Sequence, residues 1–419
     1  MKNDKRAKLR NSIRFDLSDY LIHFFRDVDM MGRNAIVMPE NMGWHSLAED
    51  TFYPAIFMLR AAIRNGRLWA TWSYRKEART IYGPSPAVCF TDMPIAAFVE
   101  ASRERHARGE AMGEVALVFP KAKMRTLGAR SAIYGLSKDP TVWPGGQGGG
   151  PRVFPADVLP LQEQYRYITD AYPIDWSHER EWRWPCRVKY PDWEGDSVAN
   201  WFDIPGLDFY DTQISGIGAI VKTRAQAESV IQDMLTLVDA GMADPYAFSF
   251  VLPTDELPSP EAIRDRNALK DALAKATIDI NKYFEVSEAE VAEVNRQFTD
   301  AVWTIENGAP HPQAGEVGEC WLWLHDGSSR LARMLLADGR LSVSRNGRYL
   351  ARLAEFSDSR SLREREAMTE RLAAAIQKKF GVSCGYFSVL NSSNPDDVPF
   401  YAQDHDENIP YYNATWLDR

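Results

Sequence analysis

Apolar residues come in short runs along the first half of the chain. Tyr20–Phe25, Arg67–Thr71, Ala87–Thr91, Val115–Phe119 and Ile217–Val221 each read as a strand. Between them apolar positions recur at helical spacing. Pro54–Asn65 is one such helix, ended by Gly66; Ile95–Arg108 is a second, with a charged face. Thr223 caps a third, over about Arg224–Val238. Trp176 and Ser177 lead into Glu179–Trp184, which reads as the entry to another strand. Pro144–Pro151 is a glycine-rich surface loop; the Gly-Lys-Ser/Thr and following helix of a phosphate-binding loop are missing.

The pattern changes after Gly241. Phe248–Pro253 reads as a strand, and a charged helical stretch runs from Ser259 to about Lys282. Ser287 begins another helix. Further on, Arg330–Leu336 and Arg340–Ser344 flank Asp338-Gly339 and read as a hairpin. Asn346-Gly347 makes a second tight turn into Tyr349–Leu353, and a helix covers about Ser361–Phe380. A boundary falls between Val238 and Pro260.

Composition is ordinary for a globular chain of 419 residues: 45% hydrophobic and 26% charged. No stretch approaches the ~20 apolar residues of a membrane span, and the polar, basic start lacks the apolar core of a signal peptide. Cys89, Cys186, Cys320 and Cys384 are widely spaced, which suggests neither a zinc site nor a disulfide framework. A cytoplasmic protein without a membrane partner is the expectation. The net charge of -9 argues against binding nucleic acid by bulk electrostatics and leaves room for a local basic groove.

Chemistry concentrates in a few places. On a strand, Glu179 and Glu181 would share one face, and two carboxylates in one cleft repel and raise one pKa. A solvated strand face, with the glutamates paired to Arg180 or Arg183, is the plainer alternative. His23 lies inside an apolar run, where a core role competes with a ligand role; Arg26, three residues on, faces the other way on a regular strand. Thr91 ends a buried strand with a hydroxyl that could orient a ligand or merely finish the strand. Asp396-Asp397 and Asp404–Glu407 could bind a divalent cation as a nuclease would, or form an acidic solvated loop. Tyr401, Tyr411, Tyr412 and Trp416 make this tail a candidate docking segment for a protein partner.

Four segments taken in order, Leu21–Arg26, Leu59–Thr71, Pro86–Pro94 and Trp176–Arg183, with Val115–Tyr134 between the last two, resemble the AbiGi-type abortive-infection family and its ADP-ribosyltransferase-like relatives. The resemblance covers roughly Ser18–Val238. It implies an α+β fold: ADP-ribosyltransferase-like split antiparallel sheets with flanking helices, plus a smaller C-terminal α+β domain. The implied layout is a basic leader at 1–17, the transferase-like domain at 18–245, a helical connector at 246–290 and the C-terminal domain at 291–419.

The resemblance also implies NAD as substrate. Glu181 takes the place of the catalytic glutamate, and Glu179 that of the upstream residue that orients the acceptor. His23, with Arg26 as rival, would hold the ADP-ribose part. Thr91 takes the mid-domain hydroxyl position, although the Ser-Thr-Ser triplet of the family is replaced by Cys89-Phe90-Thr91. Tyr82 and Tyr134 are the candidates to stack on nicotinamide. No metal is implied. The implied role is an NAD-consuming effector, transferase or glycohydrolase, in anti-phage abortive infection or a toxin-antitoxin system, with a protein or nucleic acid as acceptor. A non-catalytic sensor or antitoxin-like module on the same fold is the alternative.

Overall fold

The computed structural model describes residues 18–29, 52–75, 78–110, 112–135, 152–169, 175–187, 205–258 and 266–402. The fold is α+β. The chain divides into two units whose sequences interleave: residues 1–223 with 252–277, and residues 224–251 with 278–419.

In the first unit, β1 (Tyr20–Phe25) is followed by α1 (Ala55–Arg64), β2 (Arg67–Trp69), β3 (Ala87–Thr91), α2 (Ile95–Ala107), β4 (Val115–Pro120) and α3 (Lys121–Thr126). Next come β5 (Arg130–Ser131), β6 (Ile133–Gly135), β7 (Tyr167–Thr169), β8 (Glu181–Pro185), β9 (Gly206–Asp208) and β10 (Ile217–Val221). The main sheet is antiparallel and runs β10-β4-β1-β3-β8-β5. Its centre is the apolar run of β4, where Val115 through Phe119 are all buried, as strands covered on both faces require.

Helix α1 shows why its sequence is helical. Ala55, Leu59, Ala62 and Ile63 form one buried stripe at helical spacing, and Pro54 supplies the fixed φ of its N-cap. Gly66 then stands at φ 61°, and a Cβ there would come within 2.3 Å of the Tyr210 ring, so only glycine fits. Gly113 serves a different need: a Cβ there would lie 1.6 Å from the carbonyl oxygen of Phe25.

The sheet is not evenly zipped. β1 follows β4 in register from Tyr20↔Pro120 to Phe25↔Val115, and β3 follows β8 from Thr91↔Glu181 to Ala87↔Pro185. Between β1 and β3 the register holds at Ile22↔Thr91 alone, and the two strands part beyond it.

The second unit contains α4 (Arg224–Asp239), β11 (Phe248–Pro253, of which residues 248–251 fall in this unit), α5 (Glu288–Asn307), β12 (Gly318–Leu324), α6 (Arg330–Ala337), β13 (Leu341–Val343), β14 (Tyr349–Ala351), α7 (Leu362–Phe380), β15 (Cys384–Leu390) and β16 (Pro399–Ala402). An antiparallel sheet in the order β13-β14-β12-β15-β16 carries the core of this unit on one face, where Phe298, Val302, Leu322, Leu335, Leu372 and Ile376 meet. Trp321, Trp323, Leu350, Phe387 and Val389 form a second cluster. Ser361 closes α7 with a full capping box to Glu364.

Two expected elements differ. Arg330–Leu336 is a helix, not the first arm of a hairpin. Leu331, Ala332, Met334 and Leu335 are strong helix formers without a β-branch, and the Ser329 hydroxyl accepts from the Ala332 N–H as an N-cap. Asp338-Gly339 ends that helix. The helical stretch expected to reach Lys282 ends at Ala276, with a helix over Arg266–Ala276 followed by a 3-10 turn at Ile280–Phe284. The leader at 1–17 and the loop Pro144–Pro151 lie outside the described residues.

Candidate functional site

Of the sequence-selected residues of the first unit, Thr91 lies on β3, and His23 and Glu181 lie on the strands that flank it. Ile22, Thr91 and Glu181 stand in register across β1, β3 and β8. Side chains in register share a face and alternate along each strand. His23 therefore falls in the alternate row with Phe90 and Trp182, on the opposite face of the sheet from Glu181; its ring lies edge-on to Phe90 at 5.8 Å and to Phe25 at 5.0 Å.

Where β1 and β3 part, the His23 imidazole spans the gap. Its Nδ1 lies 2.8 Å from the Cys89 carbonyl oxygen. A carbonyl only accepts, so Nδ1 carries the hydrogen and Nε2 keeps its lone pair. Burial holds the imidazole below its ordinary pKa, against the opposite pull of the Cys89 carbonyl. His23 is thus a neutral imidazole with an acceptor nitrogen. Arg26 lies one residue beyond β1 and is exposed.

Glu181 opens β8. Its carboxylate accepts from the Arg183 guanidinium at 2.6 Å, two residues on and on the same face. Arg183 is buried and anchored by the carbonyls of Tyr165 (2.7 Å) and Tyr167 (3.3 Å). The Glu181 side chain remains 21% exposed. The Cys89 thiol lies against this pair; burial, and then the charge of Glu181, push it up. His23 and Glu181 thus approach Cys89 from opposite faces, the first at its carbonyl oxygen and the second at its thiol.

Tyr134 completes the rim. Its phenol oxygen accepts from the Glu181 N–H at 3.0 Å while 39% of the residue is exposed. Tyr82 is placed differently. It is buried, stacked on Phe154 at 4.8 Å, with the Arg152 guanidinium 4.2 Å from its ring centroid, so its ring is engaged within the core.

Glu179 does not share the strand with Glu181. It ends a 3-10 turn over Trp176–Glu179, and Arg180 then takes a left-handed conformation, φ 48° and ψ 43°. That reversal breaks the alternation. Glu179 pairs with Arg105 at 2.7 Å, away from the Arg183 that holds Glu181. The Thr91 hydroxyl donates to the Glu179 carbonyl at 2.8 Å and accepts from the Met93 N–H, pinning the turn to the end of β3.

Asp92, one residue on, was not singled out by the sequence. It accepts from Arg180 (2.6 Å), Lys121 (2.7 Å) and the Trp182 indole (3.2 Å). Burial pushes its carboxyl up, but Arg180 and Lys121 outweigh it and leave the group below its usual range. It ties the ends of β3, α3 and β8 together. The only signal for it was a lone acid directly after a buried strand.

Residues 286–414 match the model of a family described as proteins of unknown function, DUF4427. The match lies in the second unit. No curated protein and no solved structure matches the chain. Among the described residues, no three or more His, Cys, Asp or Glu side chains are grouped to hold a metal, and no helix is long and apolar enough to cross a membrane. In the acidic C-terminal segment, Asp396 accepts from the Arg345 N–H and Asp397 from the Asn394 side chain; Asp404–Glu407, Tyr411, Tyr412 and Trp416 lie outside the described residues.

Proposed function

We propose that the first unit is an ADP-ribosyltransferase-like, NAD-consuming effector, with the split between β1 and β3 as its cleft. The observation that carries the proposal is the placement of Glu181, a partly exposed carboxylate fixed by the buried Arg183 beside the exposed ring of Tyr134. Cleaving the bond between ribose and nicotinamide builds positive charge on the ribose, as in glycoside hydrolysis, and a fixed carboxylate stabilises that charge as it grows. Glu181 is the carboxylate, oriented by Arg183. The acceptor nitrogen of His23 suits a ribose hydroxyl. The exposed ring of Tyr134 offers a stacking surface for the base. Glu179, paired with its own arginine, Arg105, takes the acceptor-orienting role that the resemblance implies.

The role in abortive infection or a toxin-antitoxin system rests on the resemblance of the first-unit segments. The deciding experiment is nicotinamide release from NAD by the purified protein. Release without cell extract indicates a glycohydrolase, and label transfer to a macromolecule indicates a transferase. Glu181→Gln should lower either rate by on the order of a hundredfold or more; full activity in that variant defeats the assignment. A second reading, a non-catalytic module, draws on the pairing of each glutamate with an arginine, and it predicts full biological activity in Glu181→Gln.

A further inference from the structure

The acceptor side of the same site has a distinctive charge distribution. From Val115 to Gly135 the chain holds four cationic residues, Lys121, Lys123, Arg125 and Arg130, and no acidic one, in a protein of net charge -9. This segment builds α3 and the sheet's last strand, β5, next to the strand that carries Glu181. Arg125 and Arg130 are exposed. The Arg130 guanidinium is held by the carbonyls of Arg125 (2.7 Å) and Ala129 (2.8 Å) rather than by a carboxylate. Arg187, exposed just beyond the other end of β8, acts with Arg130 and Arg166 on the Tyr165 phenol, so these cations share one neighbourhood.

The nearby carboxylates are already taken. Glu163 holds Arg166, Glu181 holds Arg183, and Asp92 holds Lys121 and Arg180. Among the described residues, Arg125, Arg130 and Arg187 form no ion pair. Aromatic surface is interleaved with the charge: Trp182 and Trp184 are half-buried on β8, Lys121 sits 4.9 Å from the Trp182 ring, and Tyr134 is exposed on β6.

Unpaired cations beside partly exposed aromatic rings are what a single-stranded nucleic acid needs, with phosphates on the former and bases on the latter. We infer that the β5 edge binds single-stranded nucleic acid and presents it to Glu181 as the acceptor. The binding claim stands by itself; the acceptor claim rests on the NAD-consuming reading above. In the transfer, the bond between ribose C1′ and the nicotinamide nitrogen breaks. A new bond from C1′ to an oxygen or nitrogen of the nucleic acid forms, and nicotinamide leaves together with the proton of the acceptor group.

The test is fluorescence anisotropy of the full chain with fluorescein-labelled single strands, DNA in one arm and RNA in the other, across a salt series from about 50 mM. Wild type should bind at least one of them. The double variant Arg125→Glu/Arg130→Glu should bind at least about tenfold more weakly, and its log-affinity against log-salt slope should be shallower by about 1.4, two contacts at about 0.7 each. Both side chains are exposed, so the variant should keep the wild-type circular-dichroism spectrum and a cooperative melt, with the midpoint lowered only by the loss of the two Arg130 hydrogen bonds. Binding is read without NAD, which separates this inference from failure of the NAD reading. No binding by wild type, or equal binding by the charge-reversed variant, overturns the surface. Label from radioactive NAD recovered on protein rather than on nucleic acid overturns the acceptor assignment.

Discussion

Replacing Arg183 by methionine is the sharpest physical test of the site. The change keeps an unbranched apolar stem and removes the guanidinium. It strips Glu181 of its cation and the carbonyls of Tyr165 and Tyr167 of their donors. Deleting one partner of a buried ion pair costs about 3–5 kcal/mol. Glu181 retains 21% side-chain exposure and can recover some hydration, so the low end applies, about 3 kcal/mol. In a unit of this size each kcal/mol moves the melting midpoint by roughly 2–4 °C, which makes the expected drop roughly 6–12 °C. Arg183→Lys should fall between methionine and wild type, because it keeps the charge and loses the planar fork. The assay is thermal unfolding followed by circular dichroism. A methionine variant melting within about 2 °C of wild type would refute the reasoning and leave Glu181 without a structural anchor.

Three further outcomes are expected. Burial keeps His23 below its ordinary pKa against the pull of the Cys89 carbonyl, so its contribution is complete above about pH 6.5 and is lost as the pH falls towards the folded value. His23→Gln should flatten that part of the stability–pH curve, and an unchanged curve counts against a buried neutral imidazole. Gly66→Ala should cost at least about 1–2 kcal/mol from the left-handed backbone alone, with the Tyr210 clash added, read as a lower urea midpoint. Ser361→Ala removes the capping box of α7 and should cost about 1 kcal/mol, read by hydrogen exchange slowing less in the first turn of that helix; unchanged protection there would remove the cap's role.

Much of the framework could be read from the chain because it rests on local patterns. Continuous apolar runs marked β1, β3, β4 and β10, and helical spacing with Gly66 or Ser361 at the ends marked α1 and α7. The site was legible as a set of residues but not as an arrangement. Arginine in the left-handed region carries no sequence signal of the kind glycine or asparagine gives, so the turn at Arg180 that separates the two glutamates was hidden. Asp92 matters only because three distant elements bring it donors. Tyr82 and Tyr134 look equivalent in sequence; Arg152 and Phe154, seventy residues beyond Tyr82, bury one and leave the other at the rim. Arg330–Leu336 misled because the following Asp-Gly fits a helix end as well as a hairpin.

The interleaving of the chain bears on how the protein can be cut. Arg333, nearly dry, neutralises its guanidinium on Asp239, and the Tyr349 hydroxyl donates to the same carboxylate at 2.8 Å. A recombinant piece begun at residue 286, where the family match starts, would retain the arginine and tyrosine and forfeit their anion. A fragment that keeps this buried pair must therefore start early enough to include Asp239, at the end of α4.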